Sequence, residues 1–219
     1  MKRITALAAA LLLALSLLTG CAQIDEAEEP LFPPEEDPAP EETAAALPSA
    51  FSLPYLAGQP LNPLTCPDGM QQTAASLLYE GLFHLDGQFT PQPLLCASYT
   101  YDPEALTYVL TLRQGVVFSD GSPLTAADIK ATLTAARSSA RYAPRLADVK
   151  SISAGNGTVT LTLSRPNSAL PALLDIPILK SGTEKKDIST GTGPYLYDES
   201  SGPCLLASQN WWQGAVQPV

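Results

Sequence analysis

A mixed α and β fold, with strands outnumbering helices and a largely antiparallel or mixed sheet, is predicted by three stretches of this 219-residue chain. In the run Thr107–Arg113, Tyr108, Leu110 and Leu112 alternate with Thr107, Val109 and Thr111. That is the period of a strand, and both faces are apolar enough for the interior of a sheet. In "DVKSISAGNGTVTLTL", Val149 and Ile152 approach Gly155-Asn156-Gly157, and Val159, Leu161 and Leu163 leave it, which reads as a β-hairpin. In "SPLTAADI", Thr125 stands three residues before Asp128, the spacing of a capping box. Ile129, Leu133 and Ala136 follow as one apolar stripe of a helix. Hairpin-joined strands with few helices define a mixed class rather than a run of alternating β-α-β units.

The remaining elements are read in chain order by the same rules. Lys2 and Arg3 precede an apolar run, Ile4–Leu18, which is shorter than the ~20 residues of a bilayer-spanning helix. Residues 1–20 therefore read as a signal peptide and stay outside the fold. Leu18-Thr19-Gly20-Cys21 resembles the lipobox of bacterial lipoproteins, which implies cleavage before Cys21 and a diacylglycerol on its sulfur. Acyl chains hold a protein on a membrane without spanning it. Residues 21–48 are rich in Pro and Glu and cannot bury enough surface to offset the entropy of ordering, so they read as an extended tether.

The folded part, 49–219, starts with an expected strand at Phe51–Leu56, ended by Gly58 and Pro60. A helix is expected over Met70–Leu82, where Met70, Ala74, Leu77 and Gly81 recur at helical spacing. "YEGLFHLDGQFTPQPLL" reads as a short hairpin turning at Asp86-Gly87. After the central strand come Gly115 and the turn pair Asp120-Gly121. "SRPNSALPALLDIP" suggests a short helix broken by Pro171, and "STGTGPYLYDES" and "PCLLASQNWW" suggest two last strands.

Charge excludes one broad class of partner. The formal charge is -10, but Ala22–Pro48 alone carries nine Asp or Glu and no Lys or Arg. Setting that stretch, Lys2 and Arg3 aside leaves 13 acidic and 10 basic residues, with no basic cluster to neutralise phosphates. Nucleic acid is not an expected partner. With Cys21 lipidated, Cys66, Cys96 and Cys204 remain. One disulfide among them is compatible with an oxidising compartment and no pair is assigned. A single His cannot complete a Cys/His zinc site, so no metal is expected, nor any cofactor beyond the diacylglycerol.

Catalysis finds little to work with. The one base for a Ser-His-Asp hydrolase is His84, beside the Asp86-Gly87 turn, and no G-x-S-x-G elbow exists. Asp120 reads as a turn residue. Gly191–Pro194 has no following helix or Lys for a phosphate cradle and reads as a bend leading into a strand. Trp211 and Trp212 read as packing aromatics. No enzymatic role is expected.

Six stretches in order resemble the solute-binding proteins of ABC importers, family 5, which includes oligopeptide-, dipeptide- and nickel-binding proteins. They are "LNP" from Leu61, with Asn62 where the family has Asp; "LLYEGLF" from Leu77; "PLLCASY", with Cys96 for Ala; "LTLRQGVVFSDGSPLTAADI" from Leu110; "GTGPY" from Gly191; and "NWWQG" from Asn210. The resemblance implies a partial type II periplasmic-binding-protein-like fold, mostly the first lobe of a two-lobed clamp that closes on its ligand by hinge motion. It further implies an extracytoplasmic, membrane-anchored monomer that captures a peptide, or another small solute such as a metal complex, and delivers it to a membrane permease.

By the same resemblance, Ala57, Gly58 and Gln59 occupy an early strand that lends backbone groups to a peptide. Tyr142, in "SARYAPRL", matches a cleft tyrosine, with a surface-packing role as its alternative. Family members are usually more than twice as long, so the chain is expected to be a fragment or the product of a truncated gene. A truncated relic or a peptide-signal receptor without transport activity is the alternative function. A lone partial lobe is expected to bind weakly and to leave an exposed flank.

Overall fold

The sheet at the centre of the fold owes its order to alternation. The computed structural model describes residues 51–66, 69–200 and 202–215, so the expected signal peptide, the Cys21 site and the tether lie outside the described residues. In chain order the elements are α1 (Gly69–Ala75), β1 (Phe83–Leu85), β2 (Pro91–Pro93), β3 (Cys96–Asp102), β4 (Thr107–Leu112), α2 (Ala126–Ala136), β5 (Val149–Ala154), β6 (Thr158–Leu163), α3 (Leu170–Leu173), β7 (Tyr195–Asp198) and β8 (Cys204–Ala207). A single 3₁₀ turn, Ala143–Leu146, precedes β5.

Strands β3-β4-β6-β5 form a four-stranded sheet, and β1-β2 and β7-β8 form two-stranded ones. All these pairings are antiparallel, which settles the choice between an antiparallel and a mixed sheet. Strand β4 is interior, between β3 and β6, as expected, but only one of its faces is buried. Tyr108, Leu110 and Leu112 point into the core with Val159, Leu161 and Leu163 of β6. The opposite face carries Thr107, Thr111, Thr158, Thr160 and Thr162, branched side chains that suit a pleated, half-covered surface. Helix α2 lies against β5 and β6 and buries Ile129, Leu133 and Ala136 completely. Its capping box is present: the Asp128 carboxylate accepts the Thr125 amide at 2.8 Å and the Thr125 hydroxyl at 2.6 Å.

Four local expectations change. Phe51–Leu56 is extended but is not a strand, because its backbone meets no ladder; the Leu56 amide donates instead to the Gln71 side chain. The helix expected over Met70–Leu82 ends at Ala75, since the carbonyls of Leu77 and Leu78 accept amides from Tyr195 and Gly193. The β1-β2 connection is five residues, not a two-residue turn at Asp86-Gly87. The Asp86 carboxylate accepts the amides of Gln88 and Thr90 at 2.9 Å, and Phe89, not Gly87, takes the positive φ of 60°. Pro171 lies in the first turn of α3 rather than breaking a helix, a place where its missing N–H costs nothing.

Cys96 is fully buried, and burial pushes its thiol up to about 11. Cys96 and Cys204 carry free thiols, while the Cys66 sulfur accepts a hydrogen bond from Gln72.

Candidate functional site

A four-residue spine, Leu77–Glu80, supports a wall formed by Ser189–Tyr195. The Leu77 carbonyl accepts the Tyr195 amide at 3.1 Å, and the Leu78 carbonyl accepts the Gly193 amide at 3.0 Å. The Tyr79 hydroxyl donates to the Ser189 carbonyl and accepts the Ser189 amide, both at 3.0 Å. Burial keeps that phenol well above its ordinary pKa, so it holds its proton and can do both. The Glu80 carboxylate accepts the Thr192 hydroxyl at 2.9 Å. Two glycines make the approach possible. A Cβ on Gly191 would stand 2.1 Å from the Leu78 carbonyl oxygen, and one on Gly193 would stand 2.5 Å from that of Leu77.

The wall and the spine together border a groove. It has a volume of about 220 Å³ and is lined by Leu78, Ser119, Asp120, the stretch Ile188–Gly191, and Tyr195–Tyr197. The glycine-rich run before α2 positions Ser119 and Asp120: Gly115 and Gly121 take positive φ, and the Ser119 amide donates to the Gly191 carbonyl at 2.9 Å. From within α2, Asp128 accepts the Ser181 amide, and the buried Thr132 hydroxyl exchanges hydrogen bonds with both backbone groups of Leu179. Helix α2 thus fixes the segment that runs on to the groove.

Asn62, where the family motif has Asp, donates its amide to the carbonyls of Glu184 and Lys186 at 2.8 Å each. An ionised carboxylate has no proton to give them.

Asp120 is the charged group at the rim. Its carboxylate accepts the Ser122 hydroxyl at 2.6 Å and pairs with Lys180 at 2.5 Å, contacts that lower its pKa from 3.8 to about 2. A depressed folded value means the stabilisation is present above pH 4 and is lost as the pH falls toward 2. Both partners are partly exposed, at 33% and 43%, so the pair is worth only about 0.5 kcal/mol. Asp120→Asn is expected to lower the melting temperature by roughly 1–2 °C at pH 6 and by nothing measurable at pH 2. An equal loss at both pH values would contradict this account.

The residues singled out from the sequence are placed separately. Ala57, Gly58 and Gln59 are exposed and form a turn rather than a strand, with Gly58 at φ 77°. The buried Gln71 amide staples that turn, donating to the Gln59 carbonyl at 3.1 Å. Tyr142 is 4% exposed and packs in the core under the Arg145 guanidinium, 5.3 Å from its ring centre. Neither group is among the groove's lining residues. His84 is exposed on β1 opposite Gln92. Among the described residues no group of three or more His, Cys, Asp or Glu converges to hold a metal.

Glu80 was missed. The signal for it was a lone acid inside the run "LLYEGLF", four positions from Ser76 on one side and from His84 on the other.

The fold places the chain among the solute-binding proteins. The NikA structure from Brucella suis, in complex with Fe(III)-EDTA, superposes with a TM-score of 0.62 at 26% identity, over 74% of this chain and 36% of that one. The oligopeptide-binding protein AppA from Bacillus subtilis, in complex with a nonapeptide, shares the fold with a TM-score of 0.59 at 23% identity, over 70% and 35%. Residues 90–218 match the model of the bacterial extracellular solute-binding proteins, family 5 (middle), and the chain belongs to that family. The glutathione-binding protein GsiB of Salmonella typhi is 37% identical over 148 residues, covering 62% of this chain and 29% of that protein. GsiB of Escherichia coli K12 is 34% identical over 151 residues, covering 63% and 30%. The chain thus spans about 30% of the length of the curated relatives it matches.

Proposed function

We propose that this chain provides one wall of the ligand cleft of an extracytoplasmic solute-binding protein, a monomer that captures a short peptide and hands it to an ABC permease. The observation that carries this reading is the groove itself, set in a chain of this family. Its lining combines the loop Ile188–Gly191 with residues Tyr195–Tyr197 of strand β7, and has one carboxylate at the rim. A strand with an open edge, as β7 has, offers main-chain partners to an extended ligand and reads little of its side chains. Ala57, Gly58 and Gln59 would meet ligand only through backbone groups of an exposed turn outside the groove lining, and Tyr142 acts as a packing aromatic.

The proposal includes no covalent step. The one imidazole, His84, is exposed on the β1-β2 hairpin and is not among the groove's lining residues. It also includes lipid attachment at Cys21, with residues 22–48 as the spacer that lifts the cleft off the membrane.

The test is calorimetric titration with reduced glutathione and with a mixture of di- to pentapeptides. A groove open on one side buries much less than the ~70–90% of a small ligand that closed sites cover, so dissociation constants of about 1 mM are expected for the 219-residue chain. No saturable heat with any of these ligands at several times that concentration, or release of cleaved peptide, would overturn the proposal.

A further inference from the structure

Glu80 carries a pattern that packing alone does not require. Its side chain belongs to a residue only 8% exposed, yet none of the ion pairs among the described residues involves it. Four neutral donors surround it instead. Oε1 accepts from Trp211 Nε1 at 3.2 Å and from Gln213 Nε2 at 3.0 Å; Oε2 accepts from Thr192 Oγ1 at 2.9 Å and from Trp212 Nε1 at 2.6 Å. An ionised carboxylate has about four lone-pair sites and no proton to give, so donors and acceptors match one for one. The Arg113 guanidinium stands 5.3 Å above the Trp212 ring and holds its plane.

The donors come from two places. Thr192 is the residue between Gly191 and Gly193, at the back of the groove wall, whereas Trp211, Trp212 and Gln213 form the turn that follows β8. We propose that Glu80 is a positioning residue that couples the groove wall to the Trp211–Gln213 turn, so that the two shift as one body. The inference rests on the groove being the ligand site. Gly191 lines the groove through its backbone, so a displacement of Thr192 by even a fraction of an ångström reaches the ligand wall, and a displacement of the turn reaches it through the shared carboxylate. Close packing makes such a link stiff. The requirement is for a carboxylate in particular: a Gln amide accepts through one atom only and would set its NH₂ against two of the four donors.

The test needs no ligand, so its outcome is independent of whether the groove binds peptides. In the ¹⁵N-labelled protein, Glu80→Gln is expected to move both indole N–H signals and to speed amide exchange at Gly193 and Tyr195 by about tenfold, while Leu110 and Val159 in the central sheet stay within about twofold of wild type. Thr192→Val keeps the shape, removes one donor from one side and remains informative if the Glu80 variant does not fold. It is expected to move the Trp212 indole signal even though Thr192 bonds to neither indole. An unmoved Trp212 signal in Thr192→Val, or loosening of one segment alone in Glu80→Gln, would overturn the coupling.

Discussion

Gly191→Ala is expected to destabilise the protein by about 3 kcal/mol, more than most single substitutions do, through overpacking against backbone. The added Cβ would lie 2.1 Å from the Leu78 carbonyl oxygen and 2.4 Å from Tyr79 Cδ1. The first of these is main chain and has no rotamer to escape through. Relief requires the wall to lift off the spine, which stretches the Gly193–Leu78 and Tyr195–Leu77 hydrogen bonds together. For a domain of this size such a loss lowers the melting temperature by roughly 6–12 °C. Gly121→Ala is the control. Gly121 needs its positive φ of 79° but has open space around it, so alanine there pays only the backbone strain of about 1–2 kcal/mol. Thermal melts of the two variants check the ordering, and a Gly191→Ala protein as stable as Gly121→Ala would refute the close approach.

Leu161→Ala is expected to cost a similar amount, about 3 kcal/mol, by leaving a cavity. Leu161 is fully buried on β6, paired in register with Tyr108 of β4 on one side and Ile152 of β5 on the other. Neighbouring strands are held at a fixed separation by their ladder, so the sheet cannot close over the missing atoms. Tyr108 is itself stacked on Tyr101 with ring centres 4.3 Å apart, which leaves it little freedom to swing in. Denaturant titration should show a lower midpoint with an unchanged slope. A loss under about 1 kcal/mol would mean that the core relaxes around the site.

Stability is not uniform across the chain. No residue of β7 is fully buried, and β8 exposes Cys204, Leu206 and Ala207. A two-stranded hairpin is marginal by itself, and this one covers only Tyr195, Tyr197 and Leu205 in part against the core. It is held here by its ends: Tyr195 bonds to Leu77, Ser208 bonds to Pro194, and Phe51 and Tyr55 set their rings against Tyr195 and Tyr197. Phe51, Leu56 and Leu206 are exposed large apolar side chains.

The elements that were legible are those whose cause lies within a few residues. The alternation of Thr107–Leu112, the Gly155–Gly157 turn, and the Thr125–Asp128 box with its apolar stripe each contain their own instructions. Phe51–Leu56 is not a strand, because a segment ended by Gly58 and Pro60 can extend without finding an edge to pair with. The hairpin at Asp86 was found but its turn was not, because a carboxylate that accepts two amides outranked the glycine beside it.

The site divides along the same line. Local sequence determined the bends at Gly115 and Gly121, the capped helix that fixes Leu179–Ser181, and the six motifs that mark the family. Only the tertiary structure decided which of these residues meet. Glu80 finds its partners 112 to 133 residues away, and Gly191 is small because of a carbonyl at Leu78. A hydrogen-bond donor or a steric limit supplied by a distant segment leaves no period or spacing in the sequence around the residue it constrains. The groove wall and its carboxylate anchor became visible only when the chain was folded.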